Sequence, residues 1–488
     1  MEALQRLHNR GSISTGYDID NSLKFETDNS EYLKAEGRPQ GDSQQTWTWS
    51  CWVKRTEVDN GVVAQYMFSA GSDGKLGLYF RDDSSSTGGD TIFIYVDEGN
   101  SLKWIGELRV SFRDTSAWYH IVFAVDSTDG TAADRTKIYV NGVQQTITFN
   151  ATLNQNVSTR VGDGGGKFSI GAKMDGSYGF NGYMAECVLV DGSVLTPTSF
   201  GEYDDDSGIW KPKDVSDLSL GTTGFHMNFD DSSNVGAVQS GTSQGNFDKY
   251  NLSAADQATD TPTNNFCTMN MLDRTNGNIK NQEGATKVTT DGGSGWCSMV
   301  ATMGVTKGKW YWEAQRMSTG TPNDVITGIV GSEDAYIPYS SAAQYYIGNV
   351  ATSSSIGYYQ KNYPSQEGTV VNGVSLNFYS QGGDTIMFGL DMDNEKMYFG
   401  LNGTWKGTGD SIGGNTAGAS SLHADFDGEF VLPAVSVFQG NNMTINFGGY
   451  ASYTISSAAS DTNGYGTFEY APPSGHYALC TKNLEEFG

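Results

Sequence analysis

Several groups of residues in this chain have the type and spacing to do chemistry. In "DFDGEF" Asp425, Asp427 and Glu429 stand at alternate positions, which on a strand would set them on one face with about 7 Å between neighbours. Glycoside hydrolysis needs two carboxyl groups flanking the bond, about 5–5.5 Å apart for retention and about 6.5–9.5 Å for inversion, so the spacing is relevant. The run contains Gly428 and leads into the apolar "FVLPAV", and it reads as an acidic connection. "EYDDDSG", Glu202 to Gly208, reads as a solvated turn. Asp126, Asp129 and Asp134 in "DSTDGTAAD" could bring oxygens onto calcium. Their spacing misses the EF-hand pattern and the stretch also reads as a hairpin loop, so no metal ligand is assigned and calcium is the one cofactor worth naming.

Nucleophile and base patterns do not gather. The five histidines (His8, His120, His226, His423, His476) never fall within a few residues of one another or of a cysteine, and no G-x-S-x-G, P-loop or H-E-x-x-H occurs. Cys51, Cys187, Cys267, Cys297 and Cys480 are odd in number, scattered and never spaced C-x-x-C, so neither a disulfide framework nor a zinc site is expected. They read as small buried apolar residues. The expectation is a protein that is not an enzyme.

Tyrosine is the richest recognition signal. Between Glu333 and Gly368 the chain carries Tyr336, Tyr339, Tyr345, Tyr346, Tyr358, Tyr359 and Tyr363 among Ser, Gly, Gln and Asn. Tyr offers a large contact area, a hydroxyl and little side-chain entropy to lose. "IGYYQKNY" is partly strand, so Tyr358 or Tyr359 should be core. Tyr336, Tyr339, Tyr345 and Tyr346 are the candidate ligand- or partner-binding residues.

The elements that must position these residues are β-strands. Glycine is abundant at 62 residues against 10 prolines, and aromatics make 12% of the 488 residues, a mix that favours short strands and tight turns. Strand-sized apolar runs bounded by Gly, Asp, Asn or Ser recur from "SLKFE" through "YMAECVLV", and again from "WCSMVATMG" to "MTINFGG". In "KIYVNGVQQ" and "MYFGLNGTW" an Asn-Gly pair follows an aromatic strand, the mark of a hairpin whose two central residues need positive φ. No fixed-period repeat is present. Alternation places Trp310 and Trp312 on one face and Tyr311 on the other. Trp47, Trp49 and Trp52 read as core too, with a change of face between Trp49 and Trp52.

The division expected is an N-terminal arm over 1–20, a sandwich over 21–215, an extended ordered connector over 216–285 and a second sandwich with a tail over 286–488. Length alone argues for two domains or more. Thirty basic against 56 acidic residues give a net charge of −26, which repels nucleic-acid phosphates and anionic membranes. No run of 18 apolar residues occurs, and "MEALQRLHNR" lacks the apolar stretch of a signal peptide. The expectation is a soluble chain with no nucleic-acid partner and no membrane insertion.

With these residues in view, Leu23 to about Val190, carrying "TWTWSCWVKRT", "AWYHIVFAVD", "KIYVNGVQ" and "FNGYMAECVLVDG", resembles a laminin-G-like, concanavalin A-like jelly roll. About Trp296 to Leu479, carrying "GKWYWEA", "DTIMFGLDMDNEKMYFGLNG", "LPAVSVF" and "INFGG", is similar to a SPRY domain, with an insertion over about Gly449 to Gly466. The fold implied is all-β: two antiparallel β-sandwiches joined by the connector. The order of parts, with "GYDIDNSLKFE" in front and "LTPTSFGEYDDDSGIWKPKDV" after the first sandwich, resembles virion structural proteins of tailed, marine-type bacteriophages. That resemblance implies a component of the virion, made in the host cytoplasm, with other virion proteins and a host cell-surface glycan or protein as partners. It also implies a homo-oligomer, although no heptad seam marks a trimer. A fibre, tail or capsid-attached adhesin is the function it favours. An architectural collar or decoration protein and a polysaccharide depolymerase are the alternatives.

Overall fold

The structure, a computed structural model, describes residues 16–58, 64–71, 76–81, 89–98, 101–241, 245–274, 279–290, 295–316, 324–332, 346–347, 355–360, 369–371, 376, 378, 380, 382–422, 426, 430–438 and 440–488. The expected arm over 1–20 lies outside them except for its last five residues. The chain forms two compact units that meet in sequence at Thr263 and Asn264. Both are antiparallel β-sandwiches, as the sequence led us to expect.

In the first unit, among the described residues, one sheet runs Val143–Gln144, Thr136–Val140, Trp118–Asp126, Thr46–Arg55, Gly182–Asp191, Ser22–Phe25, Gln257–Ala258. Facing it is a sheet in the order Ile147–Phe149, Ser101–Leu108, Thr91–Glu98, Leu76–Arg81, Gln65–Ala70, Gly166–Ile170, Tyr32–Arg38, Asp248–Tyr250. Period-two alternation sorts the strand Thr46–Arg55: Trp47, Trp49, Cys51 and Val53 enter the core between the sheets, and Thr48, Ser50, Trp52 and Lys54 take the other face. That outer face is buried as well. Phe200, Val215 and Leu220 pack on Val122, Val188 and Val190 there. Lys54 meets Asp260 at 2.7 Å with both side chains at most 1% exposed, and Trp118 Nε1 donates to the same carboxylate at 3.0 Å.

The stretch 216–285, expected as a connector, is shared between the units. Phe225–Met227 pairs with Gly182–Asp191, Asp248–Tyr250 with Tyr32–Arg38, and Gln257–Ala258 with Ser22–Phe25, all in the first sandwich. Met269–Arg274 and Ile279–Gln282 are strands of the second.

The second unit pairs the order Met269–Arg274, Trp296–Ala301, Val431–Phe438, Val325–Gly331, Ser355–Gln360, Thr369–Val371 with a sheet running Ile279–Gln282, Lys287–Thr290, Asn442–Asn446, Lys309–Gln315, Thr385–Asp391, Lys396–Leu401, Thr404–Trp405. Trp310 and Trp312 are fully buried between the sheets, and Tyr311 packs on the opposite face against Phe468. Among the described residues no helix is long and apolar enough to cross a membrane.

The two Asn-Gly turns are alike in detail. Asn141 and Gly142 have φ of 48° and 80°, Asn402 and Gly403 48° and 79°, the two positive values of a type I′ turn. Each asparagine also docks its hairpin on the next strand. Asn141 N–H donates to His120 O (2.9 Å) while its Oδ1 accepts from His120 N–H (2.8 Å). Asn402 does the same with Thr385, at 2.9 and 3.0 Å. A Cβ on Gly142 would stand 2.5 Å from the Trp210 ring. Gly142→Ala should therefore combine backbone strain with overpacking and cost roughly 2–4 kcal/mol, read as a lower midpoint for the first unit in chemical denaturation. An unchanged midpoint would mean that the hairpin moves freely.

Candidate functional site

Of the four candidate tyrosines, Tyr346 is described, and Tyr336, Tyr339 and Tyr345 lie outside the described residues, as do Tyr363, Asp425, Asp427 and Glu429. Tyr346 stands on the outer face of the six-stranded sheet of the second unit. Ile347 plugs an apolar patch made by Val300, Ile326, Val330, Leu432 and Ala434, and its N–H donates to Ser436 Oγ at 3.0 Å. This anchor carries Tyr346 onto Trp296, with ring centroids 4.8 Å apart.

Register assembles the rest. Trp296 opposes Phe438, Val325 opposes both Val437 and Gln360, and Ile326 opposes Tyr359. Trp296 thus touches Phe438 (5.4 Å) and Tyr359 (5.8 Å), and Tyr359 donates its hydroxyl to Asp324 Oδ1 at 3.0 Å. Burial and the Asp324 charge push the Tyr359 hydroxyl well above its ordinary pKa, so it stays a donor. Trp296, Tyr346, Tyr359, Phe438 and Asp324 are all half-buried. Tyr358 points the other way, stacked on Phe378 at 4.2 Å and fully buried, so of the pair expected to divide, Tyr358 is the core member.

The patch offers tilted indole and phenol faces beside a carboxylate acceptor. Such a surface can stack on a flat or C–H-rich ligand face and accept hydrogen bonds from its hydroxyl or amide groups. Among the described residues it holds no nucleophile paired with a base. Sequence reasoning named Tyr346 but missed Trp296 and Asp324, which join it only through strand register.

In the first unit a serine hydroxyl stands beside an imidazole. Ser50 Oγ lies 2.8 Å from His120 Nε2, and Trp210 Nε1 lies 2.9 Å from His120 Nδ1. The indole N–H can only donate, so Nδ1 is the acceptor and the neutral ring carries its proton on Nε2. Burial pushes the ring's pKa down to about 3, which keeps it neutral. His120 therefore donates to Ser50, whereas a general base must accept the serine proton. The arrangement is structural, as expected of a packed imidazole on this strand.

The acidic groups are spent locally. Asp126 Oδ1 accepts from Thr128 N and Oγ1, Asp129 Oδ1 accepts from Thr131 N, and Asp134 pairs with Lys137 at 3.4 Å. Among the described residues no three His, Cys, Asp or Glu side chains converge to hold a metal ion. In the Glu202–Gly208 turn, Asp204 accepts from Ser207 N and Oγ at 2.9 Å and meets Lys211 at 3.2 Å. These contacts draw its carboxyl down to about 2. The sequence makes this turn solvated, and Asp205 and Asp206 are exposed while Asp204 is buried.

The outer face of the second sheet of the first unit carries a different aromatic row. Tyr66 opposes Tyr79 and Tyr79 opposes Phe93 on adjacent strands, with centroids 4.5 and 5.9 Å apart and planes 12° and 27° apart. Near-parallel rings at about the inter-strand spacing spend their faces on one another. This row stiffens the sheet and leaves mainly ring edges outward.

Residues 27–199 match the family model of the concanavalin A-like lectin/glucanases superfamily. No curated protein matches the chain. Among solved structures, the SPRY domain of human HERC1 is 19% identical, covering 36% of this chain and 96% of its own, with a TM-score of 0.25. A putative carbohydrate binding protein from Bacteroides ovatus is 16% identical over 48% of this chain and 58% of its own, TM-score 0.33. A heptameric pentraxin from Limulus polyphemus is 17% identical over 37% and 80%, TM-score 0.27. Residues 27–199 of the first unit are thus similar to the concanavalin A-like lectin/glucanases superfamily, and an antiparallel sandwich follows.

Proposed function

We propose that the chain is a non-enzymatic recognition protein of a bacteriophage particle, a fibre, tail or capsid-attached adhesin whose second sandwich binds a glycan or protein on the host cell surface. The observation that carries this reading is the half-buried Trp296–Tyr346–Tyr359 cluster beside Asp324. Aromatic anchors flanked by a polar acceptor are what a recognition surface concentrates. The lectin-type family match of the first unit supports binding as the general activity. The order of motifs supports the phage assignment. Single sites of this size bind weakly, and several copies on one particle would supply avidity.

The test is binding of the labelled full-length protein to intact bacteria and to immobilised bacterial surface polysaccharides and proteins. Tyr346→Ala and Trp296→Ala are expected to weaken binding about 10- to 100-fold, and Asp324→Asn less. Binding that is indifferent to all three, with each variant folded, would move recognition elsewhere on the chain. Release of reducing ends from the polysaccharide would instead establish a depolymerase.

A further inference from the structure

Five cysteines scattered through the sequence gave no reason to expect a cross-link, yet folding brings two of them into contact. Cys51 and Cys187 are both fully buried in the core of the first unit, with their Sγ atoms 2.8 Å apart. A local irregularity of the backbone produces this. The strands Thr46–Arg55 and Gly182–Asp191 pair from Gly182↔Arg55 to Ala185↔Trp52 and again from Val188↔Ser50 to Asp191↔Trp47. Between these stretches Glu186 and Cys187 together oppose the single residue Cys51, which is a β-bulge.

Glu186 absorbs the extra length with a φ of 50°, and its carboxylate turns outward to meet His226 Nε2 at 2.7 Å. Cys187 is thereby aimed inward on the same side as Cys51. Cys51 Sγ also lies 3.5 Å from Ala185 O, so the thiol is held within the cross-strand gap. A bonded sulfur pair stands about 2.05 Å apart, so the approach still to be made between the two sulfurs is under ~1 Å.

We propose that Cys51 and Cys187 form a latent cross-link site that closes when the folded chain meets hydrogen peroxide. Both S–H bonds and the peroxide O–O bond break, and one S–S bond forms. Each sulfur gives up one electron, the two electrons reduce the peroxide oxygens, and the two protons leave within two molecules of water. The bond would join two central strands of one sheet across the bulge. A chain made in a reducing cytoplasm would carry the thiols, and exposure outside the cell would harden it.

The experiment treats the full-length protein with hydrogen peroxide, alkylates it in denaturant and maps its peptides without reduction. The expected result is one linked pair, the Cys51 and Cys187 peptides, two hydrogen masses lighter than their sum, with Cys267, Cys297 and Cys480 alkylated singly. The first unit should gain about 5–10 °C in Tm, and the gain should vanish on reduction. Cys187→Ser should abolish both the link and the response to peroxide. Separate alkylated or over-oxidised Cys51 and Cys187 peptides, a link to another cysteine, or an undiminished Tm gain in Cys187→Ser would overturn the proposal.

Discussion

Replacing Glu313 with alanine should lower the stability of the second unit by about 4 kcal/mol, the cost of leaving several buried donors without an acceptor. Glu313 is fully buried. Its Oε1 accepts from Tyr311 Oη and Tyr470 N–H, both at 2.8 Å, and its Oε2 accepts from Tyr453 Oη and Glu469 N–H, both at 2.9 Å. Burial raises the carboxyl pKa and the four donors pull against it. The carboxylate fastens the segment that the SPRY resemblance marked as an insertion, since Tyr453, Glu469 and Tyr470 all come from it or its C-terminal flank.

Glu313→Gln keeps the shape but turns one acceptor into a donor that faces two others, so a loss of roughly 2–3 kcal/mol is expected. Guanidinium unfolding followed by the near-ultraviolet signal of Tyr311 and Trp312 would read both. If both variants lie within about 1 kcal/mol of the parent chain, the latch contributes little beyond packing.

Acid should remove the stability that the first unit draws from a neutral His120. Its pKa is about 3 in the folded chain, against an ordinary value near 6.5. Between those values the unfolded chain takes up a proton that the native core refuses. Stability from this group is therefore complete above about pH 6.5 and falls as pH drops towards 3, by at most about 1.4 kcal/mol per pH unit.

Glu31 works in the opposite sense. Burial raises its carboxyl to about 7, so the native state gains a proton as pH falls through 7, and stability rises towards about pH 4.5. The clean readout is the difference between the parent chain and His120→Asn, which removes one slope and leaves the other. The parent should lose about 2–3 kcal/mol more than the variant between pH 6.5 and 4.5. Equal slopes would exonerate His120. In the second unit His476, pushed down to about 4 by burial, adds a loss of the same sign over the window from 6.5 to 4.

Much of the architecture was legible because it rests on local rules. Alternation placed Trp310 and Trp312 against Tyr311, and the change of face between Trp49 and Trp52 follows the same count. The Asn-Gly pairs marked both turns because two successive positive φ values leave few other residues possible. What stayed hidden depends on partners distant in sequence. The contacts of Trp296 with Tyr346 and of Tyr359 with Asp324 follow from how four strands align, which no single stretch encodes. The meeting of Cys51 with Cys187 needs the bulge at Glu186, and nothing in "MAECVLV" announces it. Strands as short as Gln257–Ala258 and Asp248–Tyr250 carry too few residues to show a period, so 216–285 read as one connector.

Those short strands have a practical consequence for dissecting the chain. Gln257–Ala258 borders Ser22–Phe25 in one sheet, and Asp248–Tyr250 borders Tyr32–Arg38 in the other. A fragment severed at residue 215 would lose both borders at once and bare two rows of backbone amides and carbonyls, the template on which β-proteins self-associate. Severing after Thr263 would keep both rows occupied.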